Sequence, residues 1–343
     1  MRIAVDAMGG DYAPAEIVKG AVDFARTDTS RVILAGPRDV LREHLALCGA
    51  PEGLVTIADA PEVVGMDEPP TTPLRRKPRS SVSVATDLVR DGGADAIVSV
   101  GNTGAFMAKA FMSLGTVPGV DRPAIAVTMP ATEGNIVLVD AGANVDCRVE
   151  MLVQFAVMGS IYASTLWGIE SPRVALLNIG SEYVKGDRKS KRAHELLRAA
   201  RVNFVGNVEG NSMFSGEADV VVCDGFVGNV ALKVTEGAIR TLLTILRAEL
   251  TGSLTGRLGA AVLRGQLRRL RTKVDYSTYG GALLVGLNGV CVAGHGRSNA
   301  RAITSALRVA RMAVGQDVIA RIRDSCAALG LGTIVESAPT QEQ

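Results

Sequence analysis

Short runs of branched apolar residues alternate along this chain with longer segments whose apolar positions recur every three or four residues. The short runs predict strands at residues 3–6, 32–35, 55–58, 96–100, 125–128, 136–140, 174–178, 203–205, 220–222 and 290–293. The longer segments predict helices at 14–26, 38–47, 81–90, 104–113, 149–167, 190–200, 229–250 and 299–329. This alternation is the pattern of an α/β fold, a mostly parallel sheet wrapped by helices. Several strands are apolar throughout, as strands covered on both faces are. Ligands of such sheets bind at the carboxyl ends of strands, so the residues just after each strand carry the functional reading.

The sharpest of these junctions runs from Asp95 to Ala105, where a strand breaks at Gly101 and a helix starts near Gly104. A strand feeding a helix through two glycines presents backbone N–H groups at the positive end of the helix dipole, a geometry suited to phosphate or a developing oxyanion. Asn102 and Thr103 add short polar side chains there. The device recurs. Asp6 and Asp11 bracket the turn after the first strand, where capping and ligand contact are equally good readings. Asp140 to Asn144 follows another strand, and Glu182 and Lys185 follow a fourth, either as a structural ion pair or with Lys185 turned to phosphate. Asp224 and Asn229 lead into a helix carrying Lys233, and His295 stands between two glycines before another helix. Several such loops are expected to line one crevice. No Walker lysine loop, complete G-x-G-x-x-G or metal-ligand spacing is present, so neither a nucleotide cofactor nor a metal is expected.

Composition narrows the partners. The 343 residues make one large or two intimate domains, and 47% hydrophobic with 21% charged residues is ordinary for a globular chain. A net charge of +2 gives no electrostatic case for nucleic acid, and 4% aromatic residues supply few stacking platforms. Five scattered cysteines without C-x-x-C spacing fit a reduced, cytoplasmic chain. Asp6 interrupts the first apolar run, which reads as a strand and not as a signal peptide. The organisation expected is a single domain over 1–335 with a flexible tail at 336–343.

Residues 238–273 depart from this balance. Two apolar stripes at helical spacing carry eight basic residues against Glu249 alone, as a basic amphipathic helical hairpin would. Such a hairpin suits an anionic membrane surface or an acidic protein, with Leu254, Leu258, Arg264, Arg268 and Arg269 as contacts; a dimer-facing or core helix pair is the plainer reading. A second basic run, Arg75, Arg76 and Lys77, lies in a proline-rich loop ahead of a serine-capped helix start and is a further expected contact for phosphate, an acidic protein or a membrane surface.

Together these motifs closely resemble one family, the PlsX phosphate acyltransferases. The matching stretches are DAMGGD at 6–11, RRKPRSS at 75–81, SVGNTGA at 99–105, DAGANVDC at 140–147, LLNIGSEYVKG at 176–186, DGFVGNVALK at 224–233, and YGGALLVG with GHGRSNA at 279–300. Leu283, Val149 and Asp187 stand where family members often carry proline, proline and asparagine. The resemblance implies a Rossmann-like three-layer α/β/α sandwich related to the isocitrate and isopropylmalate dehydrogenases, and a homodimer. It implies transfer of a long-chain acyl group from acyl carrier protein to inorganic phosphate, with the acyl phosphate passing to a membrane glycerol-3-phosphate acyltransferase. The enzyme would then sit at the inner face of the cell membrane.

Phosphate is itself the nucleophile in that chemistry, so the site has to desolvate it, aim it and stabilise an oxyanion. Gly101, Asn102, Thr103, Gly104, Asn144 and Lys233 are the expected phosphate ligands, and Lys185, His295 and Asn102 the expected catalytic groups. Asp6, Asp11, Asp140, Glu182, Asp224 and Asn229 are expected to support them. Two other classes compete: a phosphotransacetylase-like enzyme using acyl-CoA, and a non-catalytic membrane adaptor on the same fold. A dehydrogenase lacks its dinucleotide fingerprint.

Overall fold

The computed structural model describes residues 1–71, 76–274 and 280–329. The expected basic contact Arg75 and the expected tail at 336–343 lie outside them. Strands β1 (Arg2–Asp6), β2 (Arg31–Gly36), β3 (Val55–Asp59), β4 (Ala96–Ser99), β5 (Ala124–Pro130), β6 (Asn135–Val139), β7 (Arg173–Asn178), β8 (Asn203–Glu209), β9 (Val220–Val222), β10 (Ala282–Val285) and β11 (Val290–Ala293) build one sheet. Its order is β3-β2-β1-β4-β11-β10-β5-β6-β9-β7-β8. Helices α1 (Ala15–Ala25), α2 (Arg38–Leu47), α3 (Ser81–Arg90), α4 (Thr103–Leu114), α5 (Val149–Trp167), α6 (Arg188–Ala199), α7 (Gly225–Thr251), α8 (Leu254–Val262), α9 (Arg264–Val274), α10 (Ala300–Gly315) and α11 (Val318–Ala328) join them.

The sheet separates two apolar layers. On one face Val5, Val98, Val137 and Val222 pack with Ile17 of α1, Phe155 of α5 and Ile303 of α10. On the other, Ala4, Ile97, Leu138 and Val221 pack with Val82 of α3 and Phe106 of α4. Alternate residues of one strand thus serve opposite cores, which is why the central strands read as unbroken apolar runs. The α5 helix has the length and hydropathy of a membrane span, yet its most apolar window is 67% buried here, so it serves as a core helix.

Two features depart from the expected pattern. β10 is a four-residue strand between Gly281 and Gly286, too short for an apolar run to stand out. It pairs antiparallel with both β11 and β5, and β5 pairs antiparallel with β6. Two parallel blocks therefore run in opposite directions, β3-β2-β1-β4-β11 and β6-β9-β7-β8. The register nevertheless brings their carboxyl ends to one level across β10 and β5, with Ala293 opposite Ala282, Leu283 opposite Ala126 and Val127 opposite Leu138. The turns after β4, β11 and β6 therefore meet from two sides, as two groups facing one another. The helix expected at 299–329 is also two, broken where Asp317 takes φ 52°.

Within 238–273 the chain completes α7 and forms α8 and α9. None of the residues of α8 or α9 is buried. Leu254 and Leu258 are 78% and 70% exposed, and Arg264, Arg268 and Arg269 are exposed beside them.

Candidate active site

The first group of turns follows β1, β4 and β11. Gly294 N–H donates to the Ser99 carbonyl at 2.8 Å, and Asp11 N–H to the Gly296 carbonyl at 2.7 Å, tying the three loops together. The chains pass so close that a Cβ on Gly9 would stand 2.7 Å from the Gly101 nitrogen. Below them Asp6 is buried and accepts a 2.7 Å bond from the Ser99 hydroxyl, whose oxygen accepts from Gly101 N–H at 3.2 Å. Burial raises the Asp6 carboxyl above its usual range, against the Ser81 and Ser99 hydroxyls that pull it down.

Both polar atoms of the Asn102 side chain bond within the protein. Its Oδ1 caps α4 by accepting from Ala105 N–H at 3.0 Å, and its Nδ2 donates to the Met66 and Glu68 carbonyls at 3.0 and 2.8 Å. The residue clasps the segment 66–68 over the start of α4. Gly104 belongs to that clasp, since a Cβ there would meet the Pro70 ring at 2.8 Å. Lys77 closes the loop from the other side through Glu68 and the Val63 carbonyl, while Arg76 is exposed.

The second group follows β6 and β9 and is an internally satisfied knot. Asp140 is fully buried, and its Oδ1 accepts from the N–H groups of Ile125, Gly142 and Ala143 at 2.9 to 3.1 Å. Its Oδ2 accepts from the backbone and side-chain nitrogens of Asn144 at 2.7 and 2.9 Å. Burial raises its pKa, and these donors pull it back. The N–H groups expected to meet phosphate at 142–144 are thus spent on Asp140, and the Asn144 amide also reaches the Pro123 carbonyl at 2.9 Å. On this knot α7 is seated: Gly225 N–H donates to the Asn144 carbonyl at 2.7 Å, and a Cβ on Gly228 would lie 1.9 Å from the Asp140 carbonyl oxygen. Asp224 caps α7 through Val227 N–H at 2.9 Å and pairs with Lys189 at 3.5 Å.

Between the two groups lies a cleft of about 570 Å³. Its floor is β5, whose alternate residues Ile125, Val127 and Met129 face it, and α7 flanks it with Leu232, Ile239 and Leu243. Gly101, Thr103, Asn229, Lys233, Glu236 and His295 line its polar part. Lys185 and Glu182 do not line it. They sit in the turn after β7, where Asn178 and Asn207 hold their carbonyls at 3.2 and 3.0 Å.

His295 is half-buried, and its pKa lies below the usual 6.5 because of burial first and the Lys233 charge second. Its Nδ1 accepts from Arg297 N–H at 3.2 Å, so the neutral ring carries its proton on Nε2. Lys233 lies 3.5 Å from Glu236. Of α7 the expected site held Asn229 and Lys233 but not its apolar residues, and β5 was absent; the stripe holding Leu243 reads in the sequence as part of a membrane- or partner-facing hairpin, and β5 as one more strand. Among the described residues no group of His, Cys, Asp and Glu is placed to hold a metal ion.

The loops, the cleft and the doubled sheet describe an enzyme that handles a small anion beside an apolar body. A family model described as "Fatty acid synthesis protein" matches residues 1–321. A phosphate acyltransferase from Heliobacterium modesticaldum is 50% identical over 326 residues, covering 94% of this chain and 97% of the relative. Another, from Thermodesulfovibrio yellowstonii, is 46% identical over 325 residues, covering 95% and 94%. The chain belongs to this family of phosphate acyltransferases. Among solved structures, EutD phosphotransacetylase from Staphylococcus aureus superposes with a TM-score of 0.62 at 16% identity, over 92% of this chain and 94% of that one. A phosphotransacetylase from Streptococcus pyogenes gives 0.62 at 19% over the same shares. At such identities the likeness is one of fold.

Proposed function

We propose that this chain transfers a long-chain acyl group from acyl carrier protein to inorganic phosphate, giving acyl phosphate for phospholipid synthesis. The observation that carries the reading is the junction, within one cleft, of a polar rim at Gly101, Thr103, Lys233 and His295 with an apolar floor at Ile125, Val127 and Met129. A phosphate oxygen attacks the thioester carbonyl carbon, the carbon–sulfur bond breaks, and the thiolate leaves.

In this reading the α4 N-terminus and Lys233 hold the anion, and His295 Nε2–H donates to the oxygen that gathers charge. Asn102 is a positioning residue acting through the α4 cap, and Asp6, Asp11, Asp140, Asp224 and Asn229 shape the loops around it. Lys185 and Glu182 act outside the cleft. Incubating palmitoyl-acyl carrier protein with phosphate and trapping the product with hydroxylamine tests the assignment: palmitoyl hydroxamate that appears only with phosphate supports it, and its absence refutes it. The fold likeness to phosphotransacetylases motivates a second reading, acyl-CoA as donor. The same trap with palmitoyl-CoA separates the two.

The exposed leucines of α8 and arginines of α9 suit a surface where an insoluble product has to be delivered to a membrane acyltransferase. Arg268→Glu with Arg269→Glu is expected to weaken binding to anionic phosphatidylglycerol vesicles, and unchanged binding refutes the membrane role. The outer face of α7, with Val230, Val234, Leu242 and Ile245 exposed, is the surface a second copy would cover in a homodimer. Light scattering of the full chain tests that assembly.

A further inference from the structure

The acyltransferase reading says what reacts but not where a long chain lies while it reacts. We infer that the acyl chain lies lengthwise between β5 and α7, and that Leu243 and Val274 near its far end set chain-length preference. The inference rests on the acyltransferase reading.

The two elements run side by side. Near its start α7 meets the β6 turn, with Asn229 3.4 Å from where a Cβ on Gly142 would stand, and Ala141 N–H donates to the Ile125 carbonyl at 2.9 Å. One turn later Lys233 lies within electrostatic reach of His295. Beyond that point α7 lines the cleft with Thr235, Glu236, Ile239, Arg240 and Leu243, and Ile239 and Leu243 form an apolar strip along it. Ten residues separate Lys233 from Leu243, about 15 Å along a helix. β5 offers a matching track, about 17 Å from Ile125 to Pro130. The far end is bounded by α9, because Lys273 donates to the Thr132 carbonyl at 3.4 Å just past β5, and Val274 and Arg271 line the cleft there.

Ile239 and Leu243 are half-buried, so they face the cleft without a full set of neighbours. An alkyl chain supplies those neighbours and leaves its thioester beside Lys233 and His295. The strip formed by Ile239 and Leu243 opposite Val127 and Met129 fits an alkyl chain, with Glu236, Arg240 and Arg271 at its margin.

A palmitate carrying a diazirine at its methyl end reads the placement without catalysis. After photolysis with the full chain, label is expected on peptides holding Met129, Leu243 or Val274, and it is displaced by unlabelled palmitate. Label elsewhere, or label that is not displaced, overturns the inference. A kinetic arm adds the ruler. In Leu243→Trp the ratio of kcat/KM for palmitoyl- over octanoyl-acyl carrier protein is expected to fall about tenfold or more. Leu243→Met, which keeps the volume, is expected to hold the wild-type ratio. An unchanged ratio in the tryptophan variant overturns the role of Leu243. Absence of hydroxamate from every thioester refutes the acyltransferase reading instead, and the label still reports on the groove.

Discussion

The turn after β4 and the turn after β6 look alike in the sequence, each a glycine beside an asparagine at a strand end, yet they do opposite work. Around Gly101 the asparagine side chain caps α4 and clasps the neighbouring loop, and the turn borders the cleft. Around Gly142 the N–H groups close on Asp140, and the turn becomes a seat for α7. The difference comes from one buried carboxylate in the second turn. It teaches that one glycine–asparagine signature becomes a seat for a helix where a carboxylate gathers the backbone donors, and a clasp over a loop where only hydroxyl and amide oxygens cap them.

The largest effect follows from removing that carboxylate. Asp140→Ala strands several buried donors, each worth about 1–3 kcal/mol, so stability is expected to fall by about 3 kcal/mol or more in urea unfolding. A fall below 1 kcal/mol would show that the second turn is not held by its own carboxylate. Next comes Lys233→Ala, expected to lower turnover by about 10²–10³-fold with the fold intact, the scale of losing one preorganised donor. The same change at Lys185, outside the cleft, is expected to cost much less in the same hydroxamate assay. Equal losses would place the phosphate on the β6 side and reverse the comparison.

Asn102→Ala is expected to cost about 1 kcal/mol in thermal or urea unfolding through the lost cap. Asn102→Asp keeps the cap acceptor and loses the donors to Met66 and Glu68, so it separates capping from the clasp. If it matches wild type in turnover, the clasp has no part in catalysis. The smallest effect is electrostatic. Lys233 disfavours the charged imidazolium, so Lys233→Gln is expected to raise the His295 midpoint, followed by NMR. Protonation adds its proton at Nδ1 and leaves Nε2–H in place, so an acid limb reports loss of the Arg297 N–H to Nδ1 bond; it is expected below 6.5 in the wild type and at higher pH in the variant. A midpoint that stays put separates the two residues.

Much of the sheet was legible because apolar runs such as Val220–Val222 have to be buried on both faces and leave no other choice. The reversal of its two blocks was not. It depends on β10, whose Ala282–Val285 is no more apolar than many helical stretches, and strand direction leaves no trace in hydrophobic patterning. For the site, Lys233 and His295 carry their chemistry openly, and both line the cleft. Asp140 hid its role because a carboxylate after a strand reads the same whether it faces solvent, ligand or its own backbone. Ile239 and Leu243 hid theirs because an apolar stripe on a helix reads the same whether it meets a partner, a membrane or a ligand.

The α7 helix is 27 residues long, and its buried residues are Gly225 and Gly228, at one end. It is a beam about 40 Å long, seated at its start where no side chain fits. Its far end carries α8 and α9, and Lys273 of α9 donates back to the Thr132 carbonyl just past β5. The groove along β5 is therefore framed at both ends, and a partner that meets α8 touches the same arm that bounds it.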